Sequence, residues 1–138
     1  MPQAIGSFEV KVVPQKEVEG VGDPSLGRMS LDKQFHGKLT ATSKGQMLSA
    51  MTETKGSAGY VAMERVVGEL GGRHGSFVLQ HNGTMDRGKP GLSIRVVPDS
   101  GTGELQGLYG EMTIQIEGGA HRYEFTYDFA DGDSLTSA

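Results

Sequence analysis

The stretch Gly110–Tyr127, Gly-Glu-Met-Thr-Ile-Gln-Ile-Glu-Gly-Gly-Ala-His-Arg-Tyr-Glu-Phe-Thr-Tyr, decides the fold class. Gly118 and Gly119 divide it into two runs of alternating polarity. Glycine adopts positive φ without steric penalty, which a two-residue hairpin turn demands. A turn at this pair sets the register: Ile116 opposes His121, Ile114 opposes Tyr123, and Met112 opposes Phe125, with Tyr127 continuing the row. The other face sets Glu111, Thr113, Gln115 and Glu117 against Thr126, Glu124, Arg122 and Ala120. One face is apolar and one polar, the pattern of an antiparallel pair that buries a single side.

The same punctuation recurs along the chain. Glycine makes up 22 of 138 residues, roughly twice the usual share. Further hairpin turns are expected at Lys44-Gly45, Lys55-Gly56, Gly71-Gly72 and Arg87-Gly88, each between strand-like runs. No segment of ten or more residues carries a 3.6-residue apolar period. Eight strands follow: about Ile5–Val13, Arg28–Ser43 with a bend near Gly37, Gln46–Thr54, Ser57–Leu70, Arg73–Asp86, Lys89–Val97, Gly110–Glu117 and Ala120–Phe129. Eight antiparallel strands, mostly up and down, suffice to close a small barrel and remove exposed edges. The expectation is an all-β, closed eight-stranded barrel over residues 1–129, with a polar tail at 130–138.

Around Gly71-Gly72 the register sets Val66 against Phe77, Glu64 against Leu79 and Ala62 against His81. Through Arg87-Gly88, Leu79 meets Val96 and His81 meets Ile94. Tyr60, Ala62, Val66, Phe77, Leu79, Leu92, Ile94 and Val96 thus share one face, assigned to the interior. The reverse carries Arg65, Glu69 and His74, but also Val61, Met63, Val67 and Val78, extended by Leu48 and Leu39. That patch is too apolar for bare solvent and is expected to join copies of the chain into a homo-oligomer. A bulge that exchanges the two faces is the competing explanation.

Composition narrows the function classes. There is no cysteine, so disulfides and cysteine-based metal or redox sites are excluded. Thirteen basic against seventeen acidic side chains leave a net charge of −4, without the basic stripe of a nucleic-acid binder. No apolar run approaches the ~20 residues of a membrane-spanning helix. The start, Met-Pro-Gln-Ala-Ile-Gly, has neither the basic nor the apolar segment of a secretory signal, so a cytoplasmic location is expected.

Three runs carry a family resemblance: Tyr60–Gly68, Gly71–Gly83 (Gly-Gly-Arg-His-Gly-Ser-Phe-Val-Leu-Gln-His-Asn-Gly) and Val96–Glu111 (Val-Val-Pro-Asp-Ser-Gly-Thr-Gly-Glu-Leu-Gln-Gly-Leu-Tyr-Gly-Glu). Together they resemble a bacterial family designated domain of unknown function 3224, from Gly6-Ser7-Phe8-Glu9-Val10 to Tyr127. That family is similar to the allene-oxide-cyclase-like barrels, which include the plant dirigent proteins; Gly101–Gly110 stands where those groups carry a glycine-rich turn before a strand. The resemblance implies a closed, oligomer-forming barrel and implies no reaction. The plant cyclases use an acidic residue on the first strand. Glu9 is its loose counterpart, but Phe8, Val10 and Val12 form the apolar face here, so Glu9 is expected to point outward and the role is not carried over.

Glu64 and His81 are the candidate chemical pair. The register turns both inward, one pairing apart diagonally, with Cβ atoms ~7 Å apart. A carboxylate among apolar side chains needs a partner, and such a pair can exchange protons with a bound molecule. The alternative is a structural hydrogen-bonded pair, or an ion pair of Glu64 with Arg65 after a register slip. Tyr60, Phe77, Leu79, Tyr123, Tyr127 and Met47 are the expected lining of an interior ligand site, with Met51 and Met112 near it. The four histidines, His36, His74, His81 and His121, lie on separate segments, so no metal site is expected. Gly101-Thr102-Gly103 lacks the phosphate-loop signature and reads as a compact turn; no cofactor is implied.

Three functions fit these residues. The first is a barrel that binds a small apolar or amphipathic molecule inside. The second is a cyclase or isomerase on a lipid-like or polyketide-like substrate, using Glu64 and His81. The third is a structural oligomer with a filled interior. The state of the lumen beside Glu64 and His81 separates them: an open cavity of ~300 Å³ or more favours the first two.

Overall fold

The computed structural model describes residues 1–130 and shows no helix among them. The strands are β1 Gln3–Pro14, β2 Leu26–Gly37, β3 Leu39–Met51, β4 Ala58–Leu70, β5 Arg73–Asp86, β6 Lys89–Val96, β7 Thr102–Gly103, β8 Leu108–Glu117 and β9 Ala120–Phe129. Neighbours pair in the order β4-β3-β2-β1-β9-β8-β6-β5, and β5 pairs with β4, so the sheet closes on itself. All pairings are antiparallel. The result is an eight-stranded barrel with one short extra strand, β7, laid against Gly75 and Ser76 of β5. The seam between β6 and β8 is the narrowest, with only Ile94↔Met112 and Arg95↔Glu111 paired.

Three hairpins have the expected register. Ile116 faces His121, Val66 faces Phe77, and Leu79 faces Val96. Phe8 is buried and Glu9 exposed, as alternation on the first strand requires. Of the expected tail, only Ala130 lies among the described residues.

The second strand departs from expectation. Arg28–Ser43 is not one bent strand closed by a turn at Lys44-Gly45. The chain turns at Gly37-Lys38, where Gly37 has φ 112°, and Gly45 lies inside β3 opposite Leu31 and Glu64. Glycine serves there for close approach rather than for turning: a Cβ on Gly45 would stand 2.7 Å from Cβ of Glu64. With the turn moved, Leu39 changes sides. It is 1% exposed in the core, not part of the outer patch. Met51 lies at the open rim, 79% exposed. Lys55-Gly56 belongs to a longer connection between β3 and β4 rather than a two-residue hairpin.

The two ends of the barrel differ. At one end Leu39, Leu70, Phe77, Leu105, Leu108 and Tyr127 are all buried and seal the lumen. Leu105 comes from the β7–β8 connection, which folds over this end. The other end gathers the loop Gln15–Ser25 and the β3–β4, β5–β6 and β8–β9 turns. There the inward rows run out into exposed Val12, Met85, Leu92 and Ile116. The outward sides of β1, β8 and β9 carry Glu9, Lys11, Glu111, Arg122 and Glu124, charges that a lipid-facing wall would exclude.

Candidate functional site

Between the sealed and the open half lies a buried polar layer built by four consecutive strands. Lys33 on β2, Ser43 on β3, Glu64 on β4 and His81 on β5 all point inward and are all buried. Their meeting follows from register. Lys33 stands opposite Ser43, and Glu64 stands opposite Gly45, two residues further along β3. Because Gly45 has no side chain, the Glu64 carboxylate reaches across β3 to β2. Lys33 Nζ donates to Glu64 Oε2 at 2.7 Å and Ser43 Oγ donates to Oε1 at 2.8 Å. His81 Nε2 lies 2.5 Å from Oε2. An ionised carboxylate only accepts, so His81 carries its hydrogen on Nε2 and donates it. Phe8 and Phe35 flank the ammonium, with centroids 5.1 and 5.9 Å from Nζ.

Burial alone pushes the Glu64 carboxyl up. The hydrogen bond from His81 and the charge of Lys33 outweigh it and hold the group at about 2, against an ordinary 4.5. Glu64 is thus an anion at neutral pH with three donors on it. Among the described residues no buried side-chain polar atom lacks a partner. The layer is closed to water, with side-chain exposures of 0% for Glu64, 3% for His81 and 6% for Lys33. Above it, Tyr60 packs with its ring centroid 6.3 Å from that of His81. Burial and the nearby Glu64 charge raise the Tyr60 hydroxyl above its ordinary value.

The structure therefore brings Glu64 and His81 into direct contact, and adds two members that sequence reasoning missed. Lys33 was hidden by the misplaced turn, which left β2 without a defined inner face. The signal was present in Leu31-x-Lys33-x-Phe35, a lysine in line with two core residues, and in Leu39-x-Ala41-x-Ser43. Arg65 takes no part: it is exposed, and its guanidinium donates to Ser76 Oγ.

The expected lining residues divide between the two halves. Phe77, Leu79, Tyr123 and Tyr127 are packed in the core, 0–4% exposed. Tyr123 has a structural task there. Its hydroxyl accepts from Leu39 N–H at 3.1 Å and lies 2.9 Å from the His36 carbonyl, tying β9 to the β2–β3 turn. Tyr60 and Met47 are half-buried on the open side. The outer patch is exposed at Leu48, Val61, Met63 and Val67, and Val78 is half-buried beside it. A cleft of about 620 Å³ lies along this outer wall, between Leu48, Val61 and Met63 and the polar Gln46, Gln80 and Asn82.

The family model described as a protein of unknown function, DUF3224, matches residues 4–127. A crystal structure of a protein with unknown function from that family, from Shewanella oneidensis MR-1, is 55% identical. The alignment covers 95% of this chain and 99% of that one, with a TM-score of 0.87. No curated protein matches the chain.

Proposed function

The chain belongs to the DUF3224 family, and from its geometry we propose that it binds a small apolar or amphipathic molecule at the open end of the barrel. One observation carries this reading: the inward-facing rows are sealed at one end and bare at the other. Val12, Met85, Leu92 and Ile116 are 44%, 41%, 46% and 68% exposed, although their alternation points them to the lumen. Half-buried Val10, Met29, Met47 and Tyr60 continue the lining down to the polar layer. Apolar side chains converging above a few fixed polar groups are the usual make-up of a small-molecule site.

Glu64 and His81 act in this reading as the floor. A general acid or base works best with a pKa near the operating pH. Glu64, held at about 2 and saturated by three donors, is an anchor for Lys33 and His81 rather than a proton carrier.

The test is saturable binding of Nile red, a neutral apolar fluorophore, to the purified protein. Wild type is expected to enhance its emission to a plateau. The double substitution Leu92→Glu/Ile116→Glu, at two already exposed positions, is expected to weaken binding about tenfold or more. A wild-type protein that gives no plateau defeats the reading.

A further inference from the structure

Two inward glycines flank β4, and each makes room for one of its side chains. Gly45 lets Glu64 reach across β3. Gly83 does the same on the other side: it stands opposite Tyr60, and a Cβ there would run into the Tyr60 ring. The ring therefore crosses β5 in the direction of Leu92, the β6 partner of Gly83. Tyr60 is half-buried at the open end, directly above the polar layer, with its ring centroid 6.3 Å from that of His81. Its hydroxyl hydrogen-bonds to no protein group among the described residues. Tyr123, deeper in the core, contrasts with it: that hydroxyl is engaged with Leu39 N–H and the His36 carbonyl. On the opposite wall His121 packs on Phe8, which in turn flanks Lys33. Tyr60 is thus the polar group that stands against the floor of the mouth with its hydrogen-bonding capacity unused.

Charge narrows what it can hold. Burial and the Glu64 anion both raise the Tyr60 hydroxyl, so at neutral pH it keeps its proton and can donate. The same field opposes an anionic group beside it. A cleft of about 650 Å³ under the loop Gln15–Ser25 meets the mouth at Met29, Ser49 and Met51, and its lining sets Glu17, Glu19 and Asp23 against Arg28. That approach also disfavours an anion. A cation would find no free inward carboxylate, because Glu64 already accepts from three donors. An unpaired charge in an apolar site is costly. An uncharged acceptor is the group that fits. The wall around it is soft: Met29, Met47, Met51 and Met85, four of the seven methionines of the chain, lie on inner rows at this end. Thioethers adapt in shape and make favourable contacts with aromatic rings.

We propose that the ligand of the barrel mouth is an uncharged aromatic molecule bearing a carbonyl, whose oxygen accepts a hydrogen bond from the Tyr60 hydroxyl while its ring packs among the methionines. This rests on the mouth-binding reading and adds the chemistry of the ligand to it.

Three probes of one ring system test it in ligand-observed NMR titrations of the full chain: 2-acetylnaphthalene, 2-ethylnaphthalene, which has a similar shape but no acceptor, and the anion 2-naphthoate. Tyr60→Phe keeps the ring over Gly83 and removes only the donor. It is expected to weaken 2-acetylnaphthalene about fivefold, the loss of one neutral hydrogen bond. It should leave 2-ethylnaphthalene within about twofold, which also reports an intact mouth. Wild type is expected to bind 2-naphthoate at least about tenfold more weakly than 2-acetylnaphthalene. Leu92→Glu/Ile116→Glu is expected to weaken both uncharged probes. The proposal is overturned if Tyr60→Phe binds 2-acetylnaphthalene like wild type, if it weakens both uncharged probes alike, or if 2-naphthoate binds as tightly as 2-acetylnaphthalene. Uncharged probes that bind wild type and are lost in the mouth variant, yet ignore Tyr60→Phe, would spare the mouth reading while removing this one. A wild type that binds neither uncharged probe, nor Nile red, removes both.

Discussion

Lys33 Nζ and Glu64 Oε2 lie 2.7 Å apart inside the barrel, on strands separated by β3, and only the missing side chain of Gly45 lets them meet. A buried pair of this kind gains little over a well-packed apolar pair, because both charges lose their water. Removing one member is another matter, because it strands the other. The pair therefore specifies which strands lie side by side more than it adds stability.

Single removal is expected to be costly. Glu64→Ala leaves Lys33 and His81 facing an apolar lumen without their acceptor, and should lower unfolding free energy by about 3–5 kcal/mol. The double variant Glu64→Leu/Lys33→Met should recover most of that loss. Urea unfolding followed by far-UV circular dichroism measures both; a double variant as unstable as the single would refute the pair's coupling.

Acid should unfold the protein through Glu64. Its folded value, about 2, lies below the ordinary 4.5, so the folded state favours the ionised form. The contribution is complete above about pH 4.5 and fades as pH falls toward 2. At neutral pH it amounts to about 3 kcal/mol. In Glu64→Gln the stability lost between pH 5 and 2 should shrink by about that amount. Equal pH slopes in the two proteins would contradict the assignment.

Gly45→Val should disturb the layer without touching its members. The new side chain would drive into Glu64 and the Met63 carbonyl, and overpacking of this sort typically costs about 1–3 kcal/mol. Gly72→Ala, where a Cβ meets nothing within 4 Å, is the comparison. It carries only the strain of its positive φ. A Gly45→Val protein no less stable than Gly72→Ala would show that close approach is not what glycine provides there.

Tyr123→Phe keeps the packed ring against Phe35 and removes the hydroxyl that serves Leu39 N–H. A buried donor left without its acceptor should lose about 1–3 kcal/mol. Amide exchange at Leu39 should quicken more than exchange at residues in mid-sheet. Unchanged protection at Leu39 would mean that the turn holds by itself.

The exposed patch Leu48, Val61, Met63 and Val67 bears on self-association. Its neighbours Gln46, Gln80 and Asn82 are polar and uncharged, the arrangement of an apolar interface centre with a polar margin. Wild type is expected to sediment as an oligomer and Met63→Lys as a smaller species. A monomeric wild type in sedimentation velocity would dismiss the interface.

Alternation and hairpin turns were enough to predict most of the barrel. Side chains alternate with period two, so a known turn determines every partner and face along a hairpin. The glycine pairs at 71–72 and 118–119 are such turns, and Glu64, His81, Phe77 and Tyr123 follow from them as inward residues. A glycine by itself does not say whether it serves a turn or a close approach. Gly37 and Gly45 compete for one role within nine positions, and only the closed sheet shows that Gly37 turns the chain while Gly45 makes room. Lys33 and Ser43 depend on that choice. Their meeting with Glu64 spans three strands, and the bareness of one barrel end depends on which loops fold over the other. Both are long-range packing outcomes, which local periodicity does not encode and the assembled barrel does.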